Sequence, residues 1–219
     1  MQTFQVQIED MIGTTVFDDT TFITTAIQDV GAEIVKVTPS IKLLPLSKEA
    51  DITTGGLSIL DKRVLEVHKS NRQARPIQSS NVAQAKDSGS IHYATARDPV
   101  YYNSSSKVYV VADGSEATGN VVYVPLIPTS DGSTAIIHSS TAVTNFPQEA
   151  IHILVTGAAA RCLQQLLALK NEQLKIYVQT DEDSELAQAI TLEINAIQSQ
   201  ITLLEGKYAS SLKAFVESN

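Results

Sequence analysis

Tryptophan is absent from this chain, cysteine occurs once, methionine twice, and aromatic residues make up only 5% of its 219 positions. Any core must therefore be built from Ile, Val, Leu and Ala. The single thiol, Cys162, leaves no intramolecular disulfide and excludes a disulfide-stapled secreted scaffold. Positive charge is also scarce: 16 Lys and Arg face 24 Asp and Glu, a net charge of −8, which argues against a protein that coats nucleic acid. No long apolar run survives inspection. The richest stretch, Ile151 to Leu169, is broken by His152, Arg161, Gln164 and Gln165, a mixture expected of a buried soluble helix and not of a membrane span. The opening MQTFQVQIED lacks a basic region and an apolar core, so no signal peptide is expected and synthesis in an intracellular setting is. What is present is enough to fold, since 43% of residues are hydrophobic and only 18% charged.

The chain divides by periodicity. A short helix or ordered arm is expected to end at Gly13. A longer helix then opens after Asp18-Asp19-Thr20-Thr21, which supply capping oxygens and negative charge, and places Phe22, Ile23, Ala26, Ile27, Val30 and Ile34 on one face. Pro39 requires it to stop by Thr38. From Ile41 to His138 the pattern shortens to β-type runs: Arg63–His68, Ser90–Thr95, Val100–Tyr102, Lys107–Ala112 and Asn120–Pro125. Lys107–Ala112 and Gly119–Val124, joined through Asp113-Gly114, read as a hairpin. Arg72 to Gly89 is polar with weak periodicity and reads as a long loop or exposed edge.

Two amphipathic helices close the sequence. Asn145-Phe-Pro-Gln-Glu149 is a helix start, followed by Ile151, Leu154, Val155, Ala158, Cys162, Leu166 and Leu169 on one stripe. Small residues from Gly157 to Ala160 would let another helix approach closely, which gives a reason for a mid-helix glycine that otherwise costs about 1 kcal/mol against alanine. The second helix opens on Asp181, Glu182, Asp183 and Glu185, and its apolar positions Ile190, Ile194, Ile197, Ile201, Leu204 and Tyr208 step by four and three in a heptad seam that reaches Phe215 after Ser211 interrupts it. That seam can meet the preceding helix or the same helix of another subunit. The fold class expected is α+β: a C-terminal antiparallel helical hairpin (146–219) bundled with an N-terminal arm and helix (1–40), and an inserted antiparallel β-rich domain (41–140).

Reaction chemistry is hard to find in these residues. Glu149-x-x-His152 puts a carboxylate and an imidazole on one helix face, half of a di-iron carboxylate set, but the following helix has no histidine to complete it. Asp181, Asp183 and Glu185 have calcium-loop spacing, yet Leu186 stands where that loop needs glycine. Cys162 and His152 lie ten positions apart on one helix and cannot act as nucleophile and base; Cys162 belongs to the apolar stripe. His68, His92 and His138 are scattered without ligand-spaced neighbours. No catalytic, cofactor or metal residue is therefore expected. Two groups are candidates for protein contact: the basic strip Lys62, Arg63, Lys69, Arg72 and Arg75, and the tyrosines Tyr101 and Tyr102, because tyrosine suits interfaces that are half apolar and half wet.

The order of features, a helix after Asp18-Asp19-Thr20, a β insert with Tyr101-Tyr102-Asn103 and Lys107-Val-Tyr-Val-Val, then Asn145-Phe-Pro-Gln-Glu-Ala-Ile-His-Ile-Leu-Val155 running into Ala158-Ala-Ala-Arg-Cys-Leu163, resembles virion structural proteins of tailed bacteriophages. It looks most like their head-to-tail adaptor, or neck, proteins. The resemblance implies a homo-oligomeric ring, a dodecamer, in the neck of the virion, made in the host bacterial cytoplasm. It implies a portal protein and a tail or second neck-ring protein as partners, DNA passing without being read, no cofactor, no membrane and no enzymatic activity. Other virion roles, such as a tail terminator or tail-associated protein, and a soluble non-viral binding module or enzyme using the 72–89 loop as a lid remain open alternatives.

Overall fold

A computed structural model describes residues 2–13, 20–180 and 184–218. In chain order its elements are α1 (Phe4–Ile12), α2 (Thr20–Val37), α3 (Ser40–Leu43), β1 (Lys48–Ile52), β2 (Leu57–Ser58), β3 (Lys62–Lys69), β4 (Arg72–Gln73), β5 (Arg75–Pro76), α4 (Val82–Lys86), β6 (Val100–Ser104), β7 (Lys107–Ala112), β8 (Ser115–Ala117), β9 (Gly119–Pro125), α5 (Gln148–Thr180) and α6 (Ser184–Glu217). They form two compact units. A helical unit takes residues 1–38 and 127–219, and a β unit takes 39–126. This is the mixed α+β architecture expected, with the N-terminal helices packed on a long C-terminal pair and two sheets inserted.

In the helical unit each helix ends where its chemistry dictates. Thr3 caps α1 by accepting from the Val6 N–H at 3.3 Å, and Gly13 stops it at φ 79°, donating to Glu9 O. Helix α2 ends at Val37, before Pro39. It buries Ile23, Ala26, Ile27, Val30 and Ile34. Pro147 precedes α5 and accepts the first helical bond, from the Ile151 N–H. Helices α5 and α6 lie antiparallel, with Gln164 against Glu205 and Lys170 against Glu193. The acidic segment Asp181–Asp183, expected to cap α6, lies outside the described residues, as does the Asp18-Asp19 start of α2.

Gly157 shows why the proximal half of α5 is made of small residues. A Cβ there would stand 2.8 Å from both Val30 Cγ1 of α2 and the Tyr208 ring of α6. Both neighbours touch the α5 backbone because nothing projects from it. From Ile153 to Leu163 every position except Arg161 is buried. Helix α5 is also long and apolar enough to cross a membrane over residues 148–178, but most of its apolar window is buried inside the helical unit.

The β insert closes earlier than its expected limit of residue 140. Residues 127–140 belong to the helical unit, where Gln28 donates to Ile136 O at 2.8 Å, and the Phe4 and Gln5 N–H groups donate to Ser140 O and His138 O. Pro125 ends the last strand, and Ile136 is then fully buried.

The β unit stacks two sheets. One has the order β1-β9-β3-β4, the other β2-β7-β6-β5 with β8 also on β7. Every pair is antiparallel except β5 with β6. Ile52, Val67, Val108, Val110 and Val121 pack together as one core, while Val100, Tyr102 and Val111 form a second with Ala85 of α4 and Ala94. Three two-residue turns set the local pairing: Ser70-Asn71, Ser105-Ser106 and Asp113-Gly114 all have positive φ at both residues, the geometry that matches strand twist.

Two expectations for this region are corrected and a third is narrowed. Strands β7 and β9 do not form a hairpin. Asp113-Gly114 reverses the chain at once, so β7 pairs with β8, and β9 crosses to the other sheet between β1 and β3. Ser90–Thr95 is not a strand. Its turns are fixed by Asp87 and Ser90 side chains, and the buried Ala94 joins the fold between Ala85 O and the Asp113 N–H. Arg72–Gly89 is an exposed edge and not a long loop, since β4 and β5 are exposed and each closes one edge of its sheet. It carries β4, β5 and α4, held by Ala74 and Ala85 in the core.

Candidate functional site

The basic strip does not assemble as a strip. Lys62 and Lys69 stand at opposite ends of β3, roughly 20 Å apart at about 3.3 Å per residue. Lys62 lies over the Tyr123 ring at 5.4 Å, Arg63 sits beside it in sequence, and Lys69 donates to Thr118 Oγ1 at 3.4 Å. Arg72 is the exposed partner of Lys69 across the β3–β4 turn. Arg75 belongs to the other sheet and pairs with Asp98 at 3.2 Å. Five charges contiguous in sequence are thus divided between two sheets and two ends of one strand.

Tyr101 and Tyr102 are also not a surface pair. Alternation along β6 sends one to each face of a sheet that is covered on both faces. Tyr101 is half-buried against the core between the sheets, and burial raises its pKa. Tyr102 is buried, stacks on Tyr109 with centroids 5.1 Å apart, and donates to Glu116 Oε1 at 3.2 Å. Burial, then the Glu116 carboxylate, pushes its phenol up to about 12. Lys86 bonds the same carboxylate at 2.5 Å and is the main cause of its lowered pKa. That triad fastens α4 to the sheet.

The helix-packing residues lie together. Ile190, Ile194, Ile197, Ile201 and Leu204 are buried along α6, and Tyr208 is half-buried against Gly157. A groove of about 620 Å³ opens beside Tyr208, lined by α2, α5 and α6. Sequence reading missed the centre of this groove. Arg161 of α5 reaches two carboxylates of α2, Asp29 at 3.2 Å and Glu33. The Tyr208 hydroxyl donates to the other oxygen of Glu33 at 3.2 Å, and burial followed by that charge pushes the phenol up to about 12. A signal existed: Asp29 and Glu33 recur one helical turn apart, and Arg161 is the only cation within the buried stretch of α5. The arrangement clamps α2 to α5.

The remaining chemistry candidates stay apart. Glu149 and His152 are both exposed, at the mouth of a cavity of about 510 Å³ shared with Ile153, Ala214 and Phe215. Cys162 is fully buried, and burial pushes its thiol up to about 12. His68 bonds Glu66 at 2.9 Å, His138 bonds Thr24 at 3.1 Å, and the His92 ring is exposed. Among the described residues no three His, Cys, Asp or Glu side chains cluster as a metal site would require.

The distal hairpin is the feature that stands out. Beyond Arg161, α5 exposes Leu169 and Ile176 at 47% and 61%, and α6 exposes Leu192 and Leu203 at 70% and 56%. These aliphatics lie off the α5–α6 seam. The fold thus defines the class, a helical unit interrupted by a two-sheet insert. No family model matches the chain, and no curated protein matches it at a significant level.

Proposed function

We propose that the chain is a structural subunit of a tailed-phage virion, acting as a head-to-tail adaptor that assembles as a ring beneath the portal. The observation that carries this reading is the distal α5–α6 hairpin with exposed Leu169, Ile176, Val178 and Leu186. Exposed aliphatics recurring along one arm mark a surface for protein contact. The likeness in feature order to neck proteins supplies the setting. The net charge of −8 suits a ring through which DNA passes, because carboxylates repel phosphate and avoid gripping the genome. On this reading the chain has no catalytic residue, and its partners are its own copies, the portal and a tail-side ring.

The test is assembly. Purified chain mixed with the portal of the same particle should give a closed ring on the portal by cryo-electron microscopy, and the chain should appear in purified particles by mass spectrometry. Absence from particles, together with failure to associate with any virion component, overturns the proposal.

A further inference from the structure

We propose that the outer face of α6 pairs with the same face of a second copy, antiparallel and about a two-fold axis near residue 201. Besides the buried seam, α6 carries a second run with heptad spacing: Leu192, Ala196, Ser199, Leu203, Gly206 and Ser210 step by four and three, and all six are exposed. Leu192 and Leu203 are the large side chains of this face, and a Cβ added at Gly206 would meet nothing within 4 Å. On a face that alternates leucines with Ala, Ser and Gly, two helices approach most closely where each leucine meets a small residue of the other copy. Antiparallel pairing in which paired residue numbers sum to 402 does this. Leu192 meets the other copy's Ser210, Ala196 meets Gly206, and Leu203 meets Ser199.

Charge selects this register from its neighbours. The flank of the face carries Glu193, Gln200 and Lys207. Antiparallel pairing about residues 200–201 brings Glu193 of each copy to Lys207 of the other, twice by symmetry. A shift of one heptad loses both pairs, and parallel pairing makes neither. Lys170 occupies Glu193 Oε2, leaving Oε1 to accept, and Lys207 has no ion-pair partner among the described residues. Gln200, on the axis, already donates to the Ile12 carbonyl of α1 at 3.1 Å, so it adds nothing between copies. The face runs about 27 Å at 1.5 Å per residue and, at a helix width of about 10 Å, covers roughly 270 Å², less than the ~800 Å² per partner of a stable interface, so the pair is a weak, concentration-dependent dimer. It uses one face on both copies, neither builds nor requires a ring, and does not rest on the virion reading.

Sedimentation equilibrium of the chain alone, from low to several hundred micromolar, should show monomer and dimer. Lys207→Glu should weaken the dimer about tenfold, the effect of two lost pairs facing repulsion. Glu193→Lys should do the same with an unchanged circular dichroism spectrum. An equimolar mixture of the two variants should recover wild-type dimerisation, since each then supplies the charge its partner lacks. Leu192→Glu/Leu203→Glu should remain monomeric. Wild-type chain that stays monomeric throughout, or a mixture no tighter than either variant alone, overturns the proposal.

Discussion

The two halves of α5 make an instructive contrast. Residues 153–163 are almost wholly buried beneath α2 and α6, whereas the distal half leaves Leu169, Ile176 and Val178 exposed. Both halves are rich in apolar residues. What separates them is residue size and the partner that size admits. The Gly157-Ala-Ala-Ala160 run lets two helices reach the α5 backbone, while the distal half, with its longer side chains, meets α6 on one side only. A helix side becomes core when a neighbour can reach it, and hydrophobicity alone does not decide this.

The contrast can be broken in four ways. Ile197→Asp places a charge on the seam that both halves share, and should destabilise the helical unit by about 3 kcal/mol or more in urea denaturation. Wild-type stability would show that the seam is open to solvent. Gly157→Val should cost about 2–3 kcal/mol, because the added carbons collide with Val30 and Tyr208. Gly206→Ala, on an open face, should instead stabilise by up to about 1 kcal/mol. Equal effects at the two glycines would erase the distinction between a packed and an unpacked helix face.

The third test uses pH. Tyr208 in the folded chain is pushed from the ordinary 10.0 up to about 12. Its contribution is present below pH 10 and is lost as pH rises toward 12, because the unfolded phenol ionises first. Tyr208→Phe should flatten that alkaline loss by on the order of 1 kcal/mol after allowance for solvent screening, read from denaturation midpoints at pH 9 and 11.5. An unchanged slope would place the loss elsewhere, for example at Tyr102 in the β unit. Smallest of all, Leu169→Ser should change stability by less than about 0.5 kcal/mol, since its side chain is half exposed. A large loss would show that the distal half of α5 is core after all.

Much of the helical unit was legible because its signals are local or periodic. Pro39 stops α2, Gly13 stops α1, and the four-three step from Ile190 to Leu204 defines the buried side of α6. Sheet pairing was less legible, because it depends on which turn wins. Asp113-Gly114 was recognised as a turn signal, but its two-residue geometry leaves no room for a six-residue loop, and β8 takes the place β9 was expected to fill. Tyr101 and Tyr102 qualify as candidates for protein contact from sequence because nothing there shows that α4 covers the far face of their sheet. The Arg161 clamp joins residues more than a hundred positions apart, a distance at which spacing carries no message.

That separation also sets an order of events on the ribosome. Among the described residues α2 packs chiefly on α5, with Pro128, Ile136 and His138 of the preceding segment and Tyr208 of α6 beside it, so its apolar side, Ile23, Ile27, Val30 and Ile34, waits for residues made after the β unit. The β unit, complete by residue 126, can fold while α2 waits. At synthesis rates of about 5–20 residues per second, the wait between the end of α2 and the end of α6 is roughly 10–40 s. Through that interval the nascent chain carries a helix whose apolar side lacks its partners, the kind of surface that aggregates when chains are crowded.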